Sequence, residues 1–267
     1  MPELPEVETI RRQLDPLLGG RTIVSVESHP AANFVSATDA QGARIDGVGR
    51  RGKYLIVPLE DGRELIIHLG MTGSLRIAPP GDRGDRYVRS RWELEGGDVL
   101  EFRDVRRFGR IAVVDAGDYR SLPTLARLGP EPLSPGFDGD VLWAGLKRSN
   151  RRVKTQLLSQ RPVAGVGNIY ADEALFRAGV NPALRRVTRA QAGRLAPAIT
   201  AVLSEGIEHG GTTLRDYRTV SGEQGGHQFH LLCYGRAGEP CVNCGEELSG
   251  RVLDGRSTTW CRSCQPR

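Results

Sequence analysis

Nowhere does this chain run to the ~18 to 20 consecutive apolar residues that a membrane span needs, and its N-terminus lacks a basic stretch followed by an apolar run. A membrane partner and an export signal are therefore not expected, and the chain reads as cytoplasmic. Lysine is scarce: of 37 basic residues only Lys53, Lys147 and Lys154 are lysines. Few lysine amines therefore exist to act as nucleophiles. Cysteine is limited to five residues, and disulfides are a poor expectation in a cytoplasmic chain.

What is present suits a folded enzyme or a binding protein. The 267 residues suffice for two domains that each bury a core. A net charge of +5 fits a polyanionic partner, and its distribution is uneven. Residues 1–146 hold 19 Lys+Arg against 22 Asp+Glu, whereas residues 147–267 hold 18 against 10. The phosphate face is expected in the C-terminal half.

Behind an N-terminal helical segment, residues 21–115 read as short strands: 21–28, 54–59, 64–69, 91–95, 99–103 and 110–114. They are rich in β-branched residues and bounded by Gly, Pro or Asp, which predicts an antiparallel sandwich or barrel. From about Ser121 the apolar spacing becomes helical, over 141–147, 152–160, 168–177 and 188–208. The link Arg161-Pro-Val-Ala-Gly-Val-Gly167 joins two of these helices through glycines that allow tight turns. Val220 to Gly226 is Gly-rich, with too little apolar content to pack, and is expected to form a mobile loop.

Cys241-x2-Cys244 and Cys261-x2-Cys264 are two knuckles 16 residues apart, the spacing that brings four thiolates onto one tetrahedral zinc. Four cysteines close the coordination sphere, so the expected cofactor is one structural Zn2+ per chain. Cys233 is left over, and Leu231 and Leu232 beside it favour a buried, unliganded thiol. Arg256, between the knuckles, is expected at a hairpin tip where a guanidinium can fork onto phosphates.

The opening Met-Pro-Glu-Leu-Pro-Glu-Val-Glu suits a helix start: Pro5 in the first turn, Glu6 and Glu8 at the positive dipole end, and Val7, Ile10, Leu14 and Leu17 on one apolar face. A well-capped helix accounts for all of this except Pro2 and Glu3. With Met1 removed, Pro2 would expose a secondary amine able to attack a sugar C1′ and form an iminium, with the Glu3 carboxyl in reach for proton transfer.

Pro2-Glu-Leu-Pro-Glu6 resembles the N-terminal signature of the formamidopyrimidine-DNA glycosylase family of bifunctional glycosylase and lyase enzymes. Similar stretches run along nearly the whole chain: Gly49-Arg-Arg-Gly-Lys53-Tyr-Leu, His68-Leu-Gly-Met71-Thr-Gly, Asp104-Val-Arg106-Arg107-Phe108-Gly, Gly165-Val-Gly-Asn168-Ile-Tyr-Ala and Arg256-Ser-Thr-Thr-Trp-Cys261. The resemblance implies an α+β multidomain fold: residues 1–118 an N-terminal catalytic β-sandwich with an N-terminal helix, 119–226 a helix-two-turn-helix domain with a lesion-capping loop, and 227–267 a zinc finger. It implies Pro2 as nucleophile, Glu3 as general acid and base, Glu6 as a supporting carboxylate, and Lys53 as a cation that aids elimination. Phosphates would be held by His68, Asn168 and Arg256, the last also counted with the catalytic set. Met71, Arg106 and Phe108 would fill the space of a flipped base; Met71 and Phe108 could instead be ordinary core, but Phe108, straight after two arginines and before Gly109, is expected at an exposed loop tip. Lys154 and Tyr234 are further DNA-contact expectations.

The implied partner is duplex DNA with oxidised bases or abasic sites, bound by a monomer. Two segments depart from the family pattern: 82–91 lacks its histidines, and 222–230 differs in the capping loop. Two other readings stand beside the first. An endonuclease VIII-like enzyme for oxidised pyrimidines would share the fold and amine, but that branch has glycine where Leu4 stands. A catalytically silent zinc-ribbon DNA binder would not require Pro2, Glu3 and Lys53.

Overall fold

The structure, a computed structural model, describes residues 1–267. The chain divides into two compact units, Met1–Ala126 with His209–Gly226, and Arg127–Glu208 with His227–Arg267. No helix is long and apolar enough to cross a membrane.

The first unit opens with helix α1 (Leu4–Leu18), in which Pro5 falls in the first turn, where a missing N–H costs nothing. Val7, Ile10 and Leu14 line its buried face. The fourth member of that face is Leu18: Leu17 is 45% exposed and Leu18 fully buried. One turn of 3.6 residues carries the stripe from Leu14 to Leu18, and the expectation of Leu17 is corrected accordingly.

Eight strands follow: β1 (Ile23–Ser28), β2 (Gly49–Arg51), β3 (Tyr54–Pro58), β4 (Arg63–His68), β5 (Gly73–Ala78), β6 (Val88–Leu94), β7 (Val99–Asp104) and β8 (Arg110–Asp115). They form two four-stranded antiparallel sheets, ordered β1-β6-β7-β5 and β2-β3-β4-β8. Phe34, Leu55, Ile67, Trp92, Leu100 and Phe102 share one core with the α1 face. The sandwich is thus the predicted one, with β2 and β5 added. β5 has a period-two pattern, Leu75 and Ile77 against Ser74 and Arg76, that the strand reading passed over.

Residues 209–226 cluster with this first unit, although the sequence reading grouped them with the helices. Val220 packs on the sandwich core, its N–H donates to Gln13 Oε1 at 2.8 Å, and the Gly225 N–H donates to Thr213 Oγ1 at 2.9 Å. The apolar content judged too small to pack is therefore sufficient, because backbone and side-chain hydrogen bonds supply the rest.

The second unit holds α3 (Gly139–Leu146), α4 (Val153–Leu158), α5 (Asn168–Arg177) and α6 (Arg189–Glu208), while the four-residue α2 (Pro123–Ala126) ends the first stretch of unit one. α6 packs against α3 and α5. Gln160 closes the turn between α4 and α5, accepting the Gly165 N–H at 2.7 Å and donating to the Val166 carbonyl. Strands β9 (Ser249–Leu253) and β10 (Arg256–Trp260) make an antiparallel hairpin between the cysteine knuckles.

The burial difference on α1 gives a direct check. Leu14→Ala should cost about 2 to 5 kcal/mol and Leu17→Ala less than about 0.5 kcal/mol in urea unfolding. Equal losses would misplace the helix face.

Candidate active site and zinc centre

Pro2 and Glu3, ahead of the first turn of α1, are buried. A segment outside regular structure needs contacts of its own to stay buried. Glu6 supplies them: its Oε2 accepts the Glu3 N–H at 2.7 Å, and its Oε1 accepts the Thr212 N–H at 2.7 Å. Tyr217 lies against the same turn, donating from its hydroxyl to the Glu6 carbonyl at 3.4 Å and the Gly210 carbonyl at 3.1 Å. Burial, then the Glu6 charge, pushes the Tyr217 hydroxyl above its ordinary value, so it stays a neutral donor. Sequence reasoning missed Thr212 and Tyr217. The only signal was the Gly210-Gly211-Thr212-Thr213 run, in which Gly211 has φ of +86° and a Cβ would stand 3.0 Å from Glu6 Cγ.

Lys53 is buried in the turn between β2 and β3. Arg50, on β2, binds Glu8 of α1 at 3.0 Å, so that hairpin is tied to the helix that carries the N-terminus. Burial opposes ionisation of Glu8, but bonds from Arg11, Arg12 and Arg50 outweigh it and hold the carboxyl below its ordinary value.

His68 ends β4, opposite Tyr54 on β3 and Arg110 on β8. Its ring lies 4.6 Å from the Tyr54 ring. Burial, then the charges of Lys53 and Arg110, lower its pKa from 6.5 to about 4. Nδ1 accepts the Gly70 N–H at 3.2 Å, which leaves the proton of the neutral ring on Nε2. A neutral donor results.

The connections β4–β5 and β7–β8 run side by side, because β4 pairs with β8 and β5 with β7. Gly70 (φ +63°) lets them touch: a Cβ there would stand 2.5 Å from the Phe108 carbonyl carbon. Asp104 braces the pair, accepting from Thr72 Oγ1 at 2.6 Å and from the Gly109 N–H at 2.7 Å. Met71, 39% exposed, and Phe108, 54% exposed, therefore share one rim and are not core. The Arg106 guanidinium lies over the Phe108 ring at 4.6 Å.

In the second unit, Asn168 begins α5 and donates from Nδ2 to Ser257 Oγ at 3.2 Å. Arg256 is exposed where β10 leaves its turn. Lys154 does not belong with them as a DNA contact. It is 1% exposed, and its Nζ meets Asp172 at 2.7 Å, the Ser257 carbonyl at 2.6 Å and Thr258 Oγ1 at 3.0 Å. An ammonium has three protons, and these three acceptors take them. Burial raises the Asp172 pKa to about 6 against the pull of Lys154. Next to it, Glu173 accepts the N–H groups of Leu232, Cys233 and Tyr234 at 3.0, 2.9 and 2.7 Å. Tyr234, half-buried, is thus held by its backbone.

The four knuckle thiols lie within 4.8 Å of one another, with Cys241 and Cys264 sulfurs 3.9 Å apart and those of Cys244 and Cys261 3.5 Å apart. A tetrahedron with Zn–S near ~2.3 Å needs sulfur separations of about 3.8 Å. The donors fit, and they hold one structural zinc ion that clips the β9–β10 hairpin to the rest of the finger. Cys233 is buried apart from them, its Sγ donating to the Thr259 carbonyl at 3.0 Å, and burial raises its pKa.

A buried Pro2 beside carboxylates, a rim of exposed aromatic and cationic side chains, and a zinc finger together fit a DNA-processing enzyme. Three family profiles match the chain: the formamidopyrimidine-DNA glycosylase N-terminal domain over residues 1–111, the family's H2TH domain over 128–218, and the zinc finger found in FPG and IleRS over 238–267. The formamidopyrimidine-DNA glycosylase of Thermus thermophilus is 49% identical, with 99% of this chain and 98% of the relative covered. That of Deinococcus radiodurans is 44% identical over 100% and 98%. The crystal structure of the Thermus thermophilus MutM (Fpg) protein superposes with a TM-score of 0.91 at 49% identity, covering 99% of this chain and 98% of that one. A Lactococcus lactis Fpg mutant in complex with Fapy-dG DNA superposes at 0.90 and 34% identity, covering 100% of both. The chain belongs to the formamidopyrimidine-DNA glycosylase family.

The protonation state of His68 is open to direct test. With a folded pKa near 4 against an ordinary 6.5, the neutral ring stabilises the fold fully above about pH 6.5, and that contribution is lost as pH falls towards 4. Nitrogen-15 spectra should show an Nε2–H tautomer that does not titrate between pH 7 and 5.5. A midpoint near 6.5 would contradict the assignment.

Proposed function

We propose that the chain is a bifunctional DNA glycosylase and abasic-site lyase of base excision repair that removes oxidised purines, 8-oxoguanine and formamidopyrimidines, from duplex DNA. The observation that carries this reading is the fixed N-terminus: Pro2, Glu3 and Glu6 are buried, and Glu6 ties residues 3 and 212 together. A binding protein has no need to hold an amine and a carboxylate in this way. The named relatives are formamidopyrimidine-DNA glycosylases, and solved neighbours carry Fapy-dG DNA or abasic-site DNA.

In this reading, removal of Met1 frees the Pro2 nitrogen, whose lone pair attacks C1′ while the glycosidic bond breaks and its electrons leave with the base. The N–H proton of the resulting Pro2 ammonium passes to the departed base, and Glu3 protonates the ring oxygen as the freed nitrogen lone pair opens the sugar, which gives an iminium between Pro2 and C1′. Loss of the C2′ proton then expels the 3′ phosphate, a second elimination expels the 5′ phosphate, and water hydrolyses the Pro2 iminium to release the unsaturated sugar fragment, leaving a one-nucleotide gap. Lys53 stabilises the departing phosphate, and His68 donates its Nε2 proton to a phosphate next to the lesion. Asn168 and Arg256 supply equivalent contacts from the second unit, with Tyr234 bordering them. Phe108, Met71 and Arg106 fill the stack when the base is extruded, Arg106 facing the orphaned partner. The zinc finger keeps the Arg256 hairpin folded and takes no part in the chemistry.

Functionally, residues 1–118 are the catalytic part, 119–226 the DNA-gripping and lesion-capping part, and 227–267 the finger. The enzyme works as a monomer. Its substrate places it in the cytoplasm, on the nucleoid when bound to DNA.

Borohydride trapping on duplex DNA with 8-oxoguanine opposite cytosine should give a covalent adduct that maps to Pro2. The adduct should vanish in Pro2→Gly or when residues are added before Pro2. A stronger adduct with an oxidised pyrimidine would favour the endonuclease VIII-like reading, and tight binding without any adduct would leave only the zinc-ribbon DNA binder.

A further inference from the structure

The tip of the zinc hairpin carries a carboxylate that the reading above does not use. Leu253 pairs with Arg256, so β9 and β10 are joined by a two-residue turn, Asp254-Gly255, with φ of +47° and +77°. Asp-Gly suits such a type I′ turn, but Asn-Gly suits it equally, so the turn alone does not call for a negative charge. The charge has partners on helix α4 and just ahead of it. Asp254 Oδ2 accepts the Thr155 hydroxyl, and Oδ1 accepts the Arg152 guanidinium. The Thr155 hydroxyl, then the charges of Arg152, Arg151 and Arg185, hold the Asp254 carboxyl below its ordinary value. Two residues further on, Arg256 is exposed, with no carboxylate partner.

The inner end of the same hairpin is already fixed, by Lys154 on the Ser257 carbonyl and Thr258, and by Asp172 on the Thr259 N–H at 3.1 Å. A two-stranded hairpin held only there can still twist at its tip. The bonds of Asp254 remove that freedom. We infer that Asp254 is a positioning residue: through Thr155 and Arg152 it seats the hairpin tip on α4, so that Arg256 meets a DNA phosphate already oriented. This rests on the proposed DNA-binding role of Arg256.

The two physical effects of this carboxylate oppose each other, which makes the inference decidable. As a bare charge, an acid on a DNA-facing surface repels the polyanion, and its removal should tighten binding. As a positioning group, it should weaken binding when removed, and only while Arg256 is present.

The test is the affinity of zinc-loaded, full-length protein for a duplex with a tetrahydrofuran abasic analogue, at one fixed salt concentration. Wild type, Asp254→Asn, Thr155→Val, Arg256→Ala and the Asp254→Asn/Arg256→Ala double variant are compared. Asn keeps the turn while removing the charge, and zinc content and melting temperature are checked for each protein. Asp254→Asn and Thr155→Val should each weaken binding roughly five- to tenfold, and Asp254→Asn should change affinity less than about twofold in the Arg256→Ala background. Tighter binding by Asp254→Asn, or equal losses in both backgrounds, overturns the inference. If wild type binds the abasic duplex no better than intact duplex, the glycosylase reading fails instead. The same cycle on intact duplex, where Arg256 still meets phosphates, then decides the role of Asp254.

Discussion

On the reading proposed above, this enzyme uses its own terminus as a nucleophile and must fix the part of a chain that is ordinarily least fixed. In this protein one carboxylate, that of Glu6, meets the requirement by accepting the N–H of Glu3 and the N–H of Thr212 with its two oxygens. Helix α1 supplies a rigid base for that carboxylate, since Val7, Ile10, Leu14 and Leu18 are sunk in the sandwich core. The return of residues 209–226 to the first unit supplies the second donor. Catalysis by Pro2, on the reading proposed above, depends on this one bridge, because an amine displaced by about 1 Å from its line of attack loses much of its rate.

A similar economy governs the second unit. Asp172 and Glu173 are consecutive on α5, so they point to different neighbours, Lys154 and β10 on one side and the segment 232–234 on the other. Two buried carboxylates are costly unless paired and hydrogen-bonded, and here Asp172 meets the Lys154 ammonium and the Thr259 N–H while Glu173 meets three backbone N–H groups. The result is a zinc hairpin anchored to the helix that begins at Asn168. Zinc folds the finger, while α5 fixes where the finger stands within its unit.

Much of this was legible in the sequence. The strand pattern, the change to helical spacing and the two cysteine knuckles each carry a period or spacing of their own, and the helix caps itself through Pro5 and Glu6. The errors share one cause. Lys154 looks like a phosphate ligand because a lone lysine among arginines does, yet its burial follows from Asp172 and Thr258, which no local pattern connects to it. Leu17 and Leu18 both fit a coarse apolar stripe, and only packing on the core separates them. Val220 carries a single apolar side chain in a Gly-rich stretch, so its docking depended on Gln13, far back in the chain. Thr212 and Tyr217 were invisible for the same reason: their importance lies in a contact with Glu6 across about two hundred residues.

The bridge from Glu6 is the claim on which the account turns, and amide hydrogen exchange at residues 3 and 212 measures it. In wild type both amides should be protected well beyond the free-chain rate, and Glu6→Ala should release both together while the β-sandwich strands stay protected. Free-chain exchange at either amide in wild type, or protection that survives Glu6→Ala, would contradict the account.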